Sequence, residues 1–429
     1  MMNETDDIRL KEFRQLKNEI RGSKEHLIVG IDVAKEKHHA FFGTATGKTL
    51  LKRLVFENNI EGFRRLLTQV RALRVQHGLK KVVFGLEPTA NYHKPLGEHL
   101  IKCGYQVVLV SGVAVKRNRE LLDGRWDKHD TKDSANVADL ISQGKCLYYD
   151  YPSLPLRELR NLLSLKRRLK RYEQGIRVRI RNHLVAQYFP ELDRYVGQSG
   201  AGSIGIVKWC LVPGEIAGLE FEQFVRLVTS SKRGNRQVKR LREIWQKAID
   251  SVGCEAGEAV EFEAKLLGEE LKQIREALKD TDGKIEEICQ QFLEYRYLLT
   301  IPGFGPDISS KVLGAIGNPF RFNRGKEVLK LAGLDLSADR SGKRSDAALP
   351  VISKKGKADL RYALYQAAHI ASTRNRDFIV YYTNKLQGRQ RENGIKKKMR
   401  VKLSAKLLII AWSVMKKKEA YNPEYLTIE

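Results

Sequence analysis

Apolar runs of strand length dominate the first sixty residues of the chain. His26–Val33 is almost continuously apolar, with Asp32 near its end, and this pattern predicts a buried strand. Two further runs, Lys37–Gly43 and Thr49–Phe56, are predicted to be its antiparallel neighbours. Residues Asn59–Val75 then place their apolar side chains at steps of three and four. That spacing predicts an amphipathic helix.

After this helix the pattern alternates between strand and helix. Lys81–Leu86 and Gln106–Val110 are short runs rich in valine and leucine, which predict two more strands. Between them, residues 92–103 have helical spacing. An order of three strands, a helix, and then alternating strands and helices indicates an α/β fold for this part of the chain.

The pattern becomes helical and basic from residue 157 onward. Arg157–Arg181 holds ten Lys/Arg and two Glu, with apolar residues at helical steps, and predicts a helix with a basic outer surface. Lys385–Lys418, with twelve Lys/Arg and one Glu, predicts a second basic helix. Two interpretations are open for such helices: contact with nucleic acid, or an ordinary charged surface that faces solvent. Pro190–Gly253, between them, receives no functional interpretation.

A seven-residue repeat marks the region between these two basic helices. Leu271, Leu278, Ile285, Phe292 and Leu299 follow one another at that interval, in a stretch where acids outnumber bases. The repeat predicts a coiled coil. It has two interpretations: dimerisation, or packing within one chain against the helix around Leu162.

Glycines interrupt the helical pattern after this repeat. Gly303 and Gly305 lie in a short turn, Pro-Gly-Phe-Gly-Pro, that opens a new apolar helix. The arrangement resembles a helix-hairpin-helix, in which backbone N–H groups at the helix start face a phosphate. A tight turn without a ligand is the alternative.

Net charge narrows the classes of partner. The chain of 429 residues has a net charge of +27, which favours a polyanionic partner. Nucleic acid is favoured over membrane because no apolar run approaches the roughly 20 residues of a membrane span. The charged N-terminus lacks the apolar segment of a signal peptide, so we expect a cytoplasmic, nucleoid-associated protein. The five cysteines are scattered and argue against a zinc site.

Four carboxylates are candidates for a metal site. Asp130 and Asp133 lie three residues apart at the start of a predicted helix, on the same side of its first turn. Asp32 and Glu87 each follow an apolar strand, and ligand groups of α/β sheets gather at strand ends. Carboxylates held close together repel one another unless a cation lies between them, which suggests one or two Mg²⁺ ions. The alternatives are that Asp130 or Asp133 caps the helix, that Asp32 caps a turn before Lys35, and that Glu87 with Pro88 simply ends a strand.

A polar stretch near residue 341 is a candidate for nucleophilic chemistry. Ser341 is flanked by Arg340, Lys343 and Arg344, cations that would assist its attack on a phosphate. Ser337 and Ser345 are the alternative nucleophiles, and simple solvation of the loop is the alternative to catalysis. The remaining predicted nucleic-acid contacts are basic side chains: Arg167, Arg168, Lys170, Arg171, Lys354, Lys355, Lys396, Lys397, Lys398 and Arg400.

Taken in order, these motifs resemble the DEDD transposases of bacterial insertion sequences, a family that includes Piv-type invertases and bridge-RNA-guided recombinases. The first half contributes Gly30-Ile-Asp-Val-Ala-Lys, Glu87-Pro-Thr-Ala-Asn-Tyr and Asp130-Thr-Lys-Asp-Ser-Ala-Asn-Val-Ala-Asp-Leu. The second half contributes Ile301-Pro-Gly-Phe-Gly-Pro, Ala332-Gly-Leu, Ser341-Gly, Ile352-Ser-Lys-Lys-Gly and Arg361-Tyr-Ala-Leu-Tyr-Gln-Ala-Ala. Their order and spacing together make the resemblance specific.

The resemblance implies a division of the chain into four parts. Residues 1–150 would form an RNase H/RuvC-like domain, 151–254 a basic helix and an inserted linker region, and 255–298 a helical coiled coil. Residues 299–429 would form a mostly helical transposase domain with the helix-hairpin-helix-like motif. The fold class is therefore α/β plus α.

The resemblance also implies roles and partners. Asp32, Glu87, Asp130 and Asp133 would bind Mg²⁺, and Ser341 would be the nucleophile. The partners would be donor and target DNA, a noncoding bridge RNA as guide, and further copies of the chain, as a dimer and as a tetramer in the synaptic complex. The alternatives are a protein-only invertase, a RuvC-like nuclease without a serine intermediate, and a catalytically silent DNA-binding protein.

Overall fold

The computed structural model describes residues 4–123, 130–196, 211–229, 234–337 and 351–426. The chain forms two compact units, Met1–Ser153 and Leu154–Glu429. The first is a mixed α/β unit, and the second is mostly helical. Both features agree with the predicted fold class. Among the described helices, none is both long enough and apolar enough to cross a membrane.

The first unit is built on a mixed sheet. Its strands are β1 (His26–Asp32), β2 (Lys37–Thr44), β3 (Thr49–Glu57), β4 (Lys81–Glu87), β5 (Gln106–Leu109) and β6 (Leu147–Tyr148). Their order across the sheet is β3-β2-β1-β4-β5-β6. The three central strands β1, β4 and β5 are parallel, and the outer strands pair antiparallel. The two-residue β6 and its edge position were not predicted.

Helices cover both faces of this sheet. They are α1 (Glu4–Glu19), α2 (Ile60–Gln76), α3 (His93–Lys102), α4 (Gly112–Asp123) and α5 (Asp130–Ser142). One apolar core includes α2, α3 and one face of the sheet, and the other includes α1, α4, α5 and the opposite face. Asn59 caps α2 by accepting a hydrogen bond from the Gly62 N–H, as its position before the helix leads one to expect. The helices α1 and α4 were not predicted.

The second unit begins with a long helix that continues into a π-helical turn, Ile180–Val185. Single helical turns of the 3₁₀ type occur at Pro190–Leu192, Pro319–Arg321 and Pro423–Leu426. The helices are α6 (Leu154–Arg179), α7 (Ala186–Tyr188), α8 (Asp193–Val196), α9 (Pro213–Ala217), α10 (Phe221–Val228), α11 (Asn235–Ile249), α12 (Glu258–Cys289), α13 (Leu293–Leu298), α14 (Pro306–Ile316), α15 (Gly325–Ala332), α16 (Ala358–Arg374), α17 (Arg376–Leu386) and α18 (Ile395–Lys417). Two short strands, β7 (Leu336–Ser337) and β8 (Val351–Ile352), pair antiparallel.

The first three positions of the seven-residue repeat lie on α12, which packs along α6 of the same chain, whereas Phe292 and Leu299 lie beyond the end of α12 and flank α13. Leu271, Leu278 and Ile285 of the repeat are all buried there. Bonds from Arg275 to Glu173 and from Arg179 to Glu263 connect the two helices in antiparallel order. The structure therefore supports the second interpretation of the repeat, packing within one chain.

The last basic helix is shorter than predicted. It begins at Ile395, whereas residue 385 belongs to the preceding helix, α17. Gly388 and Gly394 have positive φ angles of 76° and 70°, a conformation that ends a right-handed helix. The run of basic residues crosses this break, which is why composition alone did not reveal it.

Candidate active site

Two of the predicted carboxylates end neighbouring parallel strands. Asp32 is the last residue of β1, Glu87 is the last residue of β4, and the two are partners in the β1–β4 register. Side chains alternate between the faces of a sheet, so register partners share a face. Asp32 and Glu87 therefore lie side by side. The prediction placed Glu87 just beyond its strand, and the structure includes it as the final residue.

Two glycines seat helix α5 on that same face. Gly30 and Gly85 precede the two carboxylates by two residues each and are also register partners. A Cβ atom at Gly30 would lie 2.2 Å from the Ser134 carbonyl oxygen, and one at Gly85 would lie 2.0 Å from Ile141 Cδ1. Only glycine permits so close an approach of helix and strand. The helix that carries the other two predicted carboxylates is thus fixed against the strands that carry the first two.

Helix α5 begins at Asp130, so both of its predicted carboxylates belong to its first turn or just after it. The Asp133 side chain is buried, with 3% of its surface exposed. The side chain of Asp130 lies outside the described residues. Predicted spacing and observed helix start agree, and the metal-binding role of the two residues stays a prediction.

Arg119 of α4 binds Asp133 directly. Its Nε and Nη2 atoms donate to Asp133 Oδ1 at 2.8 Å and 2.5 Å. The Arg119 side chain is 17% exposed, so the ion pair is largely shielded from water. Helix α4 also lies beside Glu87, because a Cβ atom at Gly112 would be 2.7 Å from Glu87 Oε1. One helix therefore flanks carboxylates from both the sheet and α5.

Polar bonds fix α4 against α5. Asn118 Nδ2 donates to Asn136 Oδ1 at 3.1 Å and to Asp139 Oδ2 at 2.9 Å. Gln143 Nε2 donates to the same Asp139 oxygen at 2.8 Å. Buried amides of this kind must find partners, and here the partners lie on the adjacent helix. These bonds fix the backbone of α4, and therefore the position of Arg119, next to Asp133.

Sequence reasoning missed Arg119, Asn118 and His39. His39 of β2 is the register partner of Asp32 on the side away from Glu87, so the three side chains share one face of the sheet. His39 could have been found by aligning β1 with β2. Side chains alternate along a strand, so His38 and His39 face opposite sides of the sheet, and only one of them can share the face of Asp32. No sequence signal distinguishes Arg119 from the other cations of α4.

The donor set of four carboxylates has the chemistry of a Mg²⁺ site, because hard divalent ions prefer oxygen ligands. Within the described ranges, no group of three or more His, Cys, Asp or Glu side chains is close enough to hold one ion. Asp133 instead has Arg119 as its cationic partner.

The predicted nucleic-acid contacts lie mainly on exposed helical surface. On α6, Arg167, Arg168, Lys170 and Arg171 are exposed, whereas their neighbour Lys166 is buried. The other exposed cations of the predicted set are Lys354, Lys355, Lys396, Lys397 and Lys398. Arg400 is half-buried over the Tyr382 ring, 6.0 Å from its centroid.

The two glycines of the helix-hairpin-helix-like turn differ in their surroundings. Gly303 has a φ of 87°, and a Cβ there would lie 2.5 Å from the Ala367 carbonyl oxygen of α16, so internal packing accounts for this glycine. Gly305 caps α14 and faces open space. Asp307, in the first turn of α14, binds Lys166 and Lys311 at 2.5 Å and 2.6 Å. A carboxylate therefore already lies at this helix start.

Ser341, Arg340, Lys343 and Arg344 fall within residues 338–350, outside the described residues, as do Ser345 and the side chain of Ser337. The flanking strands are described: the register of β7 and β8 makes Ser337 and Val351 partners. The nucleophile and its cationic neighbours remain predictions.

Comparison with known proteins gives two matches along the chain. Residues 29–190 match the model of DEDD transposases, and residues 295–383 match that of the transposase IS116/IS110/IS902 family. The first match contains the four predicted carboxylates, and the second contains Ser341. The search of curated proteins found no match. Since the two matches together cover more than half of the chain, in the order expected, the protein belongs to the IS110 family of DEDD transposases, enzymes that break and rejoin DNA when an insertion sequence moves.

Proposed function

We propose that this transposase cuts and rejoins DNA through Ser341, with Mg²⁺ held by Asp32, Glu87, Asp130 and Asp133. One observation carries the metal half of the proposal: Asp32 and Glu87 end adjacent strands in register, and α5 packs on the same face. The family matches carry the rest, since they span both the carboxylates and the serine.

The carboxylates and the serine have separate tasks in this proposal. The carboxylates bind one or two ions, which when bound polarise the scissile phosphate and stabilise the leaving oxygen. Ser341 Oγ attacks phosphorus, and the deoxyribose O–P bond breaks as the Oγ–P bond forms. The serine gives up its proton, and the leaving oxygen takes one up. The resulting phosphoserine ester conserves the energy of the bond, so rejoining by the reverse attack needs no external source of energy.

Exposed cations would bind the nucleic acids. The basic surface of α6 and the first turns of α18 present lysine and arginine side chains that can neutralise backbone phosphates. Phosphate contacts fix the position of a duplex without reading its sequence. Target choice in this proposal comes from a noncoding bridge RNA that pairs with donor and target DNA, and the family resemblance alone supports this guide. Dimers, joined as a tetramer in the synaptic complex, complete the proposal.

Substitution of the serine tests the proposal against its alternatives. Ser341→Ala should abolish strand exchange and the covalent protein–DNA species on a plasmid carrying both ends of the element. Ser345→Ala, four residues away, is the matched control and should retain both. A nuclease without a serine intermediate would still cut DNA after Ser341→Ala, and that result would overturn the serine half of the proposal.

Copurified nucleic acid tests the guide. We expect the active protein to carry an RNA of one defined length, and nuclease treatment that removes it should end recombination. Active protein free of RNA would identify a protein-only invertase instead. Asp130→Asn should abolish cleavage while DNA binding persists, an outcome that excludes a catalytically silent binding protein.

A further inference from the structure

We infer that Arg119 is a positioning residue: it serves as the counter-ion of Asp133 when no divalent ion is bound, and it weakens the binding of that ion. The inference rests on the proposed function, because it takes Asp133 as a ligand. Neither the carboxylate motif nor the family matches assign a role to this arginine.

The first support is the geometry of the pair. Both guanidinium contacts are made to the same oxygen, Asp133 Oδ1, at 2.8 Å and 2.5 Å. An ion that binds Asp133 therefore either approaches the other oxygen or displaces Arg119. In both cases the ion and the guanidinium compete for the charge of one carboxylate.

The second support is burial. Asp133 is only 3% exposed, and a buried carboxylate without a partner is strongly destabilising. A cationic partner therefore stabilises the ionised form of Asp133 before a divalent ion arrives. Arg119 meets this need, and no surface lysine would, because the contact is formed from within the α4–α5 interface.

The third support is the rigidity of the surrounding contacts. Asn118 binds Asn136 and Asp139 across the same interface, so α4 stays in place whether or not Arg119 holds Asp133. Arg119 consequently stays on a helix beside this carboxylate when an ion binds there. Two cations so close in a partly buried site repel each other, which lowers the affinity for the ion.

The inference predicts opposite changes in two quantities. In Arg119→Gln, the protein without metal should unfold at a lower temperature, because the buried charge of Asp133 loses its partner. The same variant should bind Mn²⁺ at least about tenfold more tightly, because the repulsion is gone. If Arg119 were purely structural, its substitution would lower the unfolding temperature but leave the Mn²⁺ affinity unchanged or reduced.

The experiment measures Mn²⁺ binding to the full chain by electron paramagnetic resonance of the free ion, with thermal unfolding in chelator and in Mn²⁺. Arg117→Gln is the matched control: it removes one positive charge from an exposed position of α4 and should leave Mn²⁺ affinity unchanged. Arg119→Lys keeps the charge and should restore the original affinity. If Arg119→Gln folds only with Mn²⁺, its affinity is measured by chelator competition, and that dependence supports the inference.

Unchanged or weaker Mn²⁺ binding by Arg119→Gln would overturn the inference, as would failure of this variant to fold even in Mn²⁺. The proposed function fails in a different way. If Asp32→Asn and Glu87→Gln bind Mn²⁺ as the unaltered protein does, the carboxylates are not the metal site. If these two variants lose Mn²⁺ binding while Arg119→Gln leaves it unchanged, only the role of Arg119 is wrong.

Discussion

Two largely buried cations, one in each unit, bind carboxylates in different ways. Arg119 binds one carboxylate, that of Asp133, and both contacts fall on a single oxygen. Lys166, in the other unit, binds two carboxylates, those of Asp307 and Asp282, at 2.5 Å and 2.6 Å. Asp307 in turn binds Lys311 as well. Within the described part of the chain the first is a single pair, and the second is a network that joins α6, α12 and α14.

The difference distinguishes a structural cluster from a candidate catalytic one. Burial alone would lower the pKa of Lys166, but its bonds to Asp282 and Asp307 outweigh burial and raise it. Burial alone would raise the pKa of Asp307, but its bonds to Lys166 and Lys311 outweigh burial and lower it. Every charge in this network is compensated within the chain, so no ligand is required. The pair in the first unit includes Asp133, for which we propose a role in metal binding.

The largest expected effect separates the two carboxylates. Asp133→Asn should slow DNA strand cleavage at least about a hundredfold, because it removes a proposed ligand of the reacting site. Asp307→Asn removes the same charge from the other cluster and should leave the cleavage rate within about threefold at a temperature where both variants are folded. Single-turnover cleavage of a donor plasmid measures both rates. Equal losses in the two variants would remove the functional distinction between the clusters.

A smaller effect is expected on stability. Lys166→Met leaves Asp282 and Asp307 without their shared cation. Because both carboxylates are about half exposed and Asp307 keeps Lys311, the free energy of unfolding should fall by about 1 to 2 kcal/mol. The adjacent Arg167→Gln breaks only an exposed ion pair with Asp359 and should cost no more than about 0.5 kcal/mol. Urea denaturation followed by circular dichroism measures both variants. Similar losses would mean that burial does not set the strength of these ion pairs.

The smallest expected effect is a difference in pH response. Burial against Phe56 and Phe63 lowers the pKa of His38 in β2. Below about pH 6.5 the unfolded chain therefore binds a proton at this histidine more readily than the folded state does. Stability near β2 should therefore fall as the pH drops from 7 to 5. The lowered pKa of Asp307 keeps its contribution complete above about pH 4, so α14 should not respond in that range.

Hydrogen exchange measured by mass spectrometry, peptide by peptide, tests this difference. His38→Gln keeps a polar side chain without the titration and should flatten the pH response of β2. A residual slope is expected from His26 and His93, whose pKa values burial also lowers. Loss of protection in α14 between pH 7 and 5 would contradict the prediction.

The sequence predicted the sheet well because strand signals are local. Apolar runs of five to eight residues ended close to the observed strand ends, and this is why Asp32 and Glu87 could be named as neighbours. The first turn of α5 was predicted for the same reason, from helical spacing after Asp130. The α/β order of the elements then led us to expect that helices pack on the faces of the sheet.

What the sequence did not reveal depends on contacts between distant segments. Helix α4 begins at a glycine and is rich in cations, so its apolar residues show only a weak helical spacing. Its position against α5 depends on tertiary packing. The Arg119–Asp133 pair joins residues fourteen positions apart and has no pattern of its own. The partner of α12 was also ambiguous, since a heptad repeat fits a second chain as well as α6.

The absence of side chains at Gly30 and Gly85 has a consequence for engineering. Basic surface residues on α6 and α18, the proposed nucleic-acid contacts, can be exchanged without disturbing the fold, because solvent accommodates new side chains there. The seam between α5 and the central strands has no such tolerance: a single added methyl group would collide with a carbonyl oxygen or an isoleucine. Libraries that seek altered affinity for nucleic acid should therefore vary the exposed surfaces of α6 and α18 and leave the contact between α5 and the central strands untouched.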